Sequence, residues 1–213
     1  MQGILTKTYG GAELCPQTKV EPSPLNSRRM VLHNEKEAIA AKAAEFIKSN
    51  STLALDAGST VFELCPFINE HDNLIVICSD SNTSSSLLAN RSNKIYMMGG
   101  FLTADGTSSG TFAKDFFNSM TRADIFFFST DGASVKDGLS SDESGINELK
   151  KRYLKNSAIK VALVDHSKFM HRGFYKTRSY ESIDYVITDS KTPSDIVERI
   201  RRLGTEVIVV DVN

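Results

Sequence analysis

At 213 residues, 40% of them hydrophobic and 24% charged, the chain is long enough to bury a full core and too apolar to read as disordered; its length suggests one domain, or one with an added lobe. Lys and Arg number 25 against 26 Asp and Glu, a formal charge of −1 with no long run of like charge, so no basic face is offered for DNA binding by this chain alone. Three cysteines (Cys15, Cys65, Cys78) without CxxC spacing and four scattered histidines suggest neither a disulfide framework nor a zinc ribbon, and no metal or other cofactor is expected.

The first residues lack the apolar stretch of a signal peptide, and no window is apolar enough for a membrane span. A cytoplasmic protein with no membrane partner is the expectation. Residues 1–33 carry Gly10-Gly11, Pro16, Pro22 and Pro24 and no apolar periodicity, which reads as an arm or interdomain linker ahead of a folded unit at 34–213. Asn34, with Glu37 three residues on, is placed as an N-cap, and Ile39, Ala43, Phe46 and Ile47 fall on one stripe of the helix that follows.

Beyond it, short apolar runs at 52–56, 74–79, 94–98, 124–130, 160–165, 184–188 and 206–210 alternate with helical patterns near 60–69, 81–90, 111–120, 143–157 and 194–203. Runs such as Leu74-Ile75-Val76-Ile77 are apolar on both faces, as strands of a parallel sheet covered on each side must be. The expected class is α/β: doubly wound, with a mostly parallel sheet and helices on both faces. The Gly/Ser/Thr-rich stretch from Gly99 to Thr111 reads as the longest loop and a lid over a site.

Ligands of open α/β sheets bind beyond the carboxyl ends of the strands, so polar residues there are the candidates. In Asp56-Ala57-Gly58-Ser59-Thr60, Gly58 permits a tight turn and Ser59 and Thr60 offer hydroxyls ahead of a helix, which suits an anion; equally, the hydroxyls cap that helix and Asp56 satisfies a loop amide. Ser79-Asp80 has the same two readings, ligand or helix cap. Gly99-Gly100 suits close approach to a ligand or a plain turn. Asp131-Gly132 places an acid at the tip of a buried strand, where it can accept sugar hydroxyls or form a turn. Lys168, in Asp165-His166-Ser167-Lys168-Phe169, can neutralise a phosphate or pair with Asp165 at the surface.

In their order these motifs, from Tyr9-Gly10-Gly11-Ala12 through Leu55-Asp56-Ala57-Gly58-Ser59-Thr60, Met98-Gly99-Gly100, Asp131-Gly132, Asp137-Gly138 and Asp165–Phe169 to Ile187-Thr188-Asp189, resemble the C-terminal effector domain of the DeoR family of sugar-responsive repressors. The resemblance implies a fold similar to ribose-5-phosphate isomerase, a phosphate held by Ser59, Thr60 and Lys168, and sugar hydroxyls facing Asp56, Asp80 and Asp131. It also implies a winged helix-turn-helix preceding Met1 as the route to DNA, and a homo-oligomer. Two departures stand out: Ser79-Asp80 where the family usually shows Thr-Asn, which adds a carboxylate near an anion, and His166 where a small serine is common. The rival function is a sugar-phosphate isomerase; against it, Asp131-Gly132-Ala133 is followed by Ser134 and then Lys136-Asp137-Gly138-Leu139 rather than by that enzyme's further acid and lysine–glycine loop. A purely structural oligomerisation domain ranks third, since it needs no polar residues at successive strand ends.

Overall fold

The computed structural model describes residues 5–8, 11–14, 25–109 and 122–212. The helix expected at 111–120 lies outside the described residues, as does Cys15. Strands β1 (Leu5–Thr8) and β2 (Gly11–Leu14) pair as an antiparallel hairpin, and helix α1 (Leu25–Met30) runs into helix α2 (His33–Ala44). The body is a seven-stranded sheet of β3 (Thr52–Leu55), β4 (Ile75–Cys78), β5 (Lys94–Met97), β8 (Ala123–Phe128), β11 (Ser157–Leu163), β13 (Tyr185–Asp189) and β14 (Glu206–Val210). Each of the seven apolar runs read from the sequence supplies one of these strands, and every pairing among them is parallel.

Alternation along each strand feeds two cores. Leu53, Leu55, Ile125 and Phe127 point to a face covered by Ile39, Ala43, Val61 and Leu64 of the helical layer, while Ala54, Phe126 and Phe128 point to the other face, under Leu149, Tyr153, Val197 and Ile200. That second face belongs to helices α6 (Ser144–Lys155) and α7 (Ser194–Arg201). A sheet with apolar residues on both sides must be covered on both sides, and the phenylalanines of β8 sit at its middle, 0% exposed. Phe126 stacks on Tyr153 with ring centroids 4.8 Å apart.

Three local expectations are corrected. Asn34 does not cap α2: the preceding residue is Leu32 in a left-handed turn (φ 54), with no side-chain cap, because α1 turns directly into α2 and the corner itself starts the helix. The helix expected over 60–69 is two single turns, α3 (Ser59–Phe62) and α4 (Cys65–Ile68), broken where Pro66 has no N–H to continue the ladder. The stretch read as a loop from Gly99 forms a small hairpin, β6 (Phe101–Leu102) and β7 (Ser108–Ser109), pinned to the end of β4 by the Ser108 N–H donating to the Ser79 carbonyl at 2.6 Å.

Helix α5 (Ser81–Leu87) follows β4. A separate antiparallel lobe, in the order β12-β10-β9, is made from β9 (Gly132–Ser134), β10 (Gly138–Ser141) and β12 (Tyr175–Arg178), pieces too short to carry a periodic signal. Gly138 closes its tight turn at φ +85, where an added Cβ would stand 2.2 Å from the Arg178 carbonyl oxygen. No helix of the described residues is long and apolar enough to cross a membrane.

Candidate functional site

The chain order of the sheet reverses once. Strands β3, β4 and β5 step outward to one edge, then the chain returns to β8 on the opposite side of β3 and proceeds through β11, β13 and β14 to the other edge. The connections leaving β3 and β8 therefore diverge to opposite faces, and the gap they leave beyond the strand ends is where such sheets bind ligands. A cleft of about 270 Å³ opens there.

Its wall contains Gly58, Ser59, Thr60, Asp131 and Lys168, five of the residues singled out in the sequence. Gly58 lies against the tip of β8: an added Cβ would meet the Ser129 hydroxyl at 2.2 Å, so the glycine lets the two strand ends close on each other. Helix α3 is a single turn, so Ser59 and Thr60 contribute hydroxyls and local amides rather than a long helix dipole. Asp131 has one carboxylate oxygen accepting the Asp142 N–H at 3.0 Å. Lys168 has no carboxylate partner among the described residues, although Asp165 is three residues away.

Asp56 sits just beneath this wall, 3% exposed. One oxygen accepts the Ser129 N–H at 3.2 Å and pairs with the Lys150 ammonium at 3.2 Å. Burial pushes its carboxyl above the ordinary range, opposed by Lys150 and the Ser129 N–H. Lys150, itself 3% exposed, also donates to the Ser129 carbonyl at 2.7 Å, and so ties α6 to both strand tips at the cleft.

The remaining candidates lie elsewhere. Asp80 is a helix cap whose carboxylate accepts the N–H groups of Asn82 and Thr83 at 2.9 and 3.1 Å, and Ser79 is buried beneath the hairpin. Gly99 and Gly100 are exposed where the chain leaves β5 for β6. Gly132 begins β9, and a Cβ there would stand 2.6 Å from the Gly173 nitrogen, a packing requirement of the lobe. His166, the family departure, donates from its backbone to Asp189 at 2.8 Å and bonds the same carboxylate through Nδ1 at 2.9 Å.

Several cleft residues were not singled out in the sequence: Ser27, Arg28 and Val31 at α1, Lys36, Asp105 and Thr107 of the hairpin, Ser129, and Lys150. Arg28 reaches across to Asp105 at 3.0 Å. Burial raises the Asp105 carboxyl, but Thr103, Thr107 and Arg28 together bring it below its usual value. Arg29, on the same helix, grips Glu63 with two bonds of 2.7 and 3.1 Å and lies 4.2 Å over the Phe62 ring. A lysine on an amphipathic helix ordinarily reads as a solvated charge; the one available signal was that Lys150 and Lys36 fall among the buried positions of their helices' periodic pattern. The thiols of Cys65 and Cys78 are buried and pushed up to about 12, and take no part in the cleft. Among the described residues no group of His, Cys, Asp and Glu could hold a metal ion.

Comparison with known proteins bears on this geometry. Residues 32–190 match the family model described as the DeoR C-terminal sensor domain. The transcriptional regulator GolR of Listeria innocua is 31% identical over 98% of this chain and 82% of its own length, and the glycerol-3-phosphate regulon repressor of Escherichia coli K12 is 29% identical over 92% of this chain and 77% of its own length. Among solved structures, translation initiation factor eIF-2B of Pyrococcus horikoshii superposes with a TM-score of 0.50 at 13% identity, covering 73% of this chain and 62% of that one. Ribose 5 phosphate isomerase A of Neisseria gonorrhoeae gives a TM-score of 0.46 at 15% identity, over 62% of this chain and about half (52%) of the isomerase. The similar curated proteins are transcriptional regulators, not enzymes, and the chain belongs to the DeoR family as a C-terminal sensor domain.

Proposed function

We propose that the cleft between the β3 and β8 tips binds a phosphorylated sugar, and that its occupancy modulates DNA binding by a repressor working in the cytoplasm through a helix-turn-helix module and as a symmetric oligomer. The observation that carries this reading is an ammonium with no carboxylate partner among the described residues, that of Lys168, on the same cleft wall as the Ser59 and Thr60 hydroxyls and the Asp131 carboxylate. A phosphate supplies the missing charge and accepts from the hydroxyls; a sugar hydroxyl donates to the carboxylate. The similar repressor of Escherichia coli is named for a regulon of glycerol 3-phosphate, a phosphorylated polyol, which supports the same class of effector. Coupling between such a site and DNA is typically about 1–3 kcal/mol, enough for a switch.

Calorimetric titration with a panel of phosphorylated sugars, each beside its unphosphorylated counterpart, tests it. One phosphorylated sugar should bind and emerge chemically unchanged, and Lys168→Ala and Ser59→Ala should each weaken it by about 1.5–3 kcal/mol, the worth of a charge-assisted hydrogen bond. Indifference of both variants, or no binding across a broad panel, removes the phosphate from this cleft.

A further inference from the structure

Lys36 is a buried cation that the proposed function leaves unused. It stands in the first turn of α2, is 4% exposed, and lines the cleft. Its ammonium donates to the carbonyl oxygens of Arg28 at 2.5 Å and Val31 at 2.7 Å, at the end of α1. An ammonium has three donors, so these two bonds leave one over. No carboxylate of the described residues forms an ion pair with it. Glu63 is engaged by Arg29, and Asp165 accepts from the Ser167 N–H; both act on Lys36 only through space.

A buried charge without a close counter-ion is costly. Burial accordingly holds the Lys36 ammonium below the ordinary lysine range, with Lys168 and Arg28 acting in the same direction and Asp165 and Glu63 opposing. The other cations of the cleft sort cleanly: Arg28 is matched by Asp105 and Lys150 by Asp56, whereas among the described residues Lys36 and Lys168 have no carboxylate partner. Two unmatched ammonium groups beside the Asp131 carboxylate suit a phosphate monoester, whose charge of about −2 meets both cations while a hydroxyl of the same molecule donates to Asp131.

We propose that Lys36 is a second anion receptor of the cleft, selecting with Lys168 for a dianionic group and, through the α1 carbonyls it holds, tying that charge to helix α1. This rests on the reading of the cleft as a phosphorylated-sugar site. Inorganic phosphate is the probe, titrated above and below its second ionisation and followed by phosphorus NMR. The unaltered chain should favour the dianion. Lys36→Met should weaken dianion binding about tenfold, as loss of a charge-assisted hydrogen bond does, and shrink the preference over the monoanion, while Lys36→Arg keeps most of both.

In the unaltered chain with carbon-labelled lysine, the side-chain signals of Lys36 and Lys168 should both shift with phosphate, a reading that does not depend on how well a variant folds. If the Lys168 signal moves while that of Lys36 stays still, and Lys36→Met binds as the unaltered chain does, the role of Lys36 is overturned and the proposed function stands. If neither signal moves and no phosphate binds, the phosphate reading fails and takes this one with it.

Discussion

Four buried aspartates follow four parallel strands, Asp56 after β3, Asp80 after β4, Asp165 after β11 and Asp189 at the end of β13, and the sheet uses them in two different ways. At β4, β11 and β13 the acid is closed by its own neighbourhood: Asp80 caps α5, Asp165 accepts from the N–H and hydroxyl of Ser167, and Asp189 holds His166 and the Lys191 N–H. At β3 the acid faces the place where the connections diverge, so it is met by a lysine from another element, and a cleft remains above it. Similar residues at similar positions thus become local caps, or the paired floor of a cleft, according to which neighbouring strand they face.

The sharpest way to break this contrast is to remove one partner of the cleft pair. Lys150→Met leaves Asp56 buried with a carboxylate and should cost about 3–5 kcal/mol in denaturant unfolding, whereas Lys150→Met combined with Asp56→Asn should recover much of it. The sign with pH follows from the raised carboxyl of Asp56: in Lys150→Met the penalty is full above its folded-state pKa and is relieved as pH falls through that value. A single-variant stability that does not improve toward acid would show that Asp56 is not what the lysine neutralises.

Asp80→Ala sharpens the other side of the comparison. As a lost helix cap it should cost about 0.5–2 kcal/mol in stability, and effector affinity should stay unchanged. A loss of affinity with unchanged stability would return Asp80 to the site.

The smallest effect is expected at Glu35, where a 2.6 Å bond from Lys191 holds the carboxyl below its ordinary value. The stability this gives is present above the unfolded carboxylate value of about 4.3 and is lost as pH falls through the lower folded value. Lys191→Ala should flatten that acid limb of a stability–pH curve. A limb identical to that of the unaltered chain would assign the acid sensitivity to other groups.

Much of this molecule is written in local pattern. The seven apolar runs, such as the one around Leu74–Ile77 and the one through Phe126–Phe128, are strands because residues apolar on both faces can be buried only inside a covered parallel sheet, and Gly58, Ser59, Thr60, Asp131 and Lys168 stand at the ends of such runs. What periodicity could not show was the order of the strands, and with it which two tips would lie side by side. The placing of β8 beside β3 brings Ser129 onto Gly58 and Lys150 onto Asp56, residues 71 and 94 positions apart respectively, and only that juxtaposition separates the acid of a cleft from the acid of a cap. Lys36 carried no more than its place in a helical stripe for the same reason: a lysine in the sequence is a solvated charge until the fold buries its ammonium, and burial belongs to the whole packed structure rather than to any one segment.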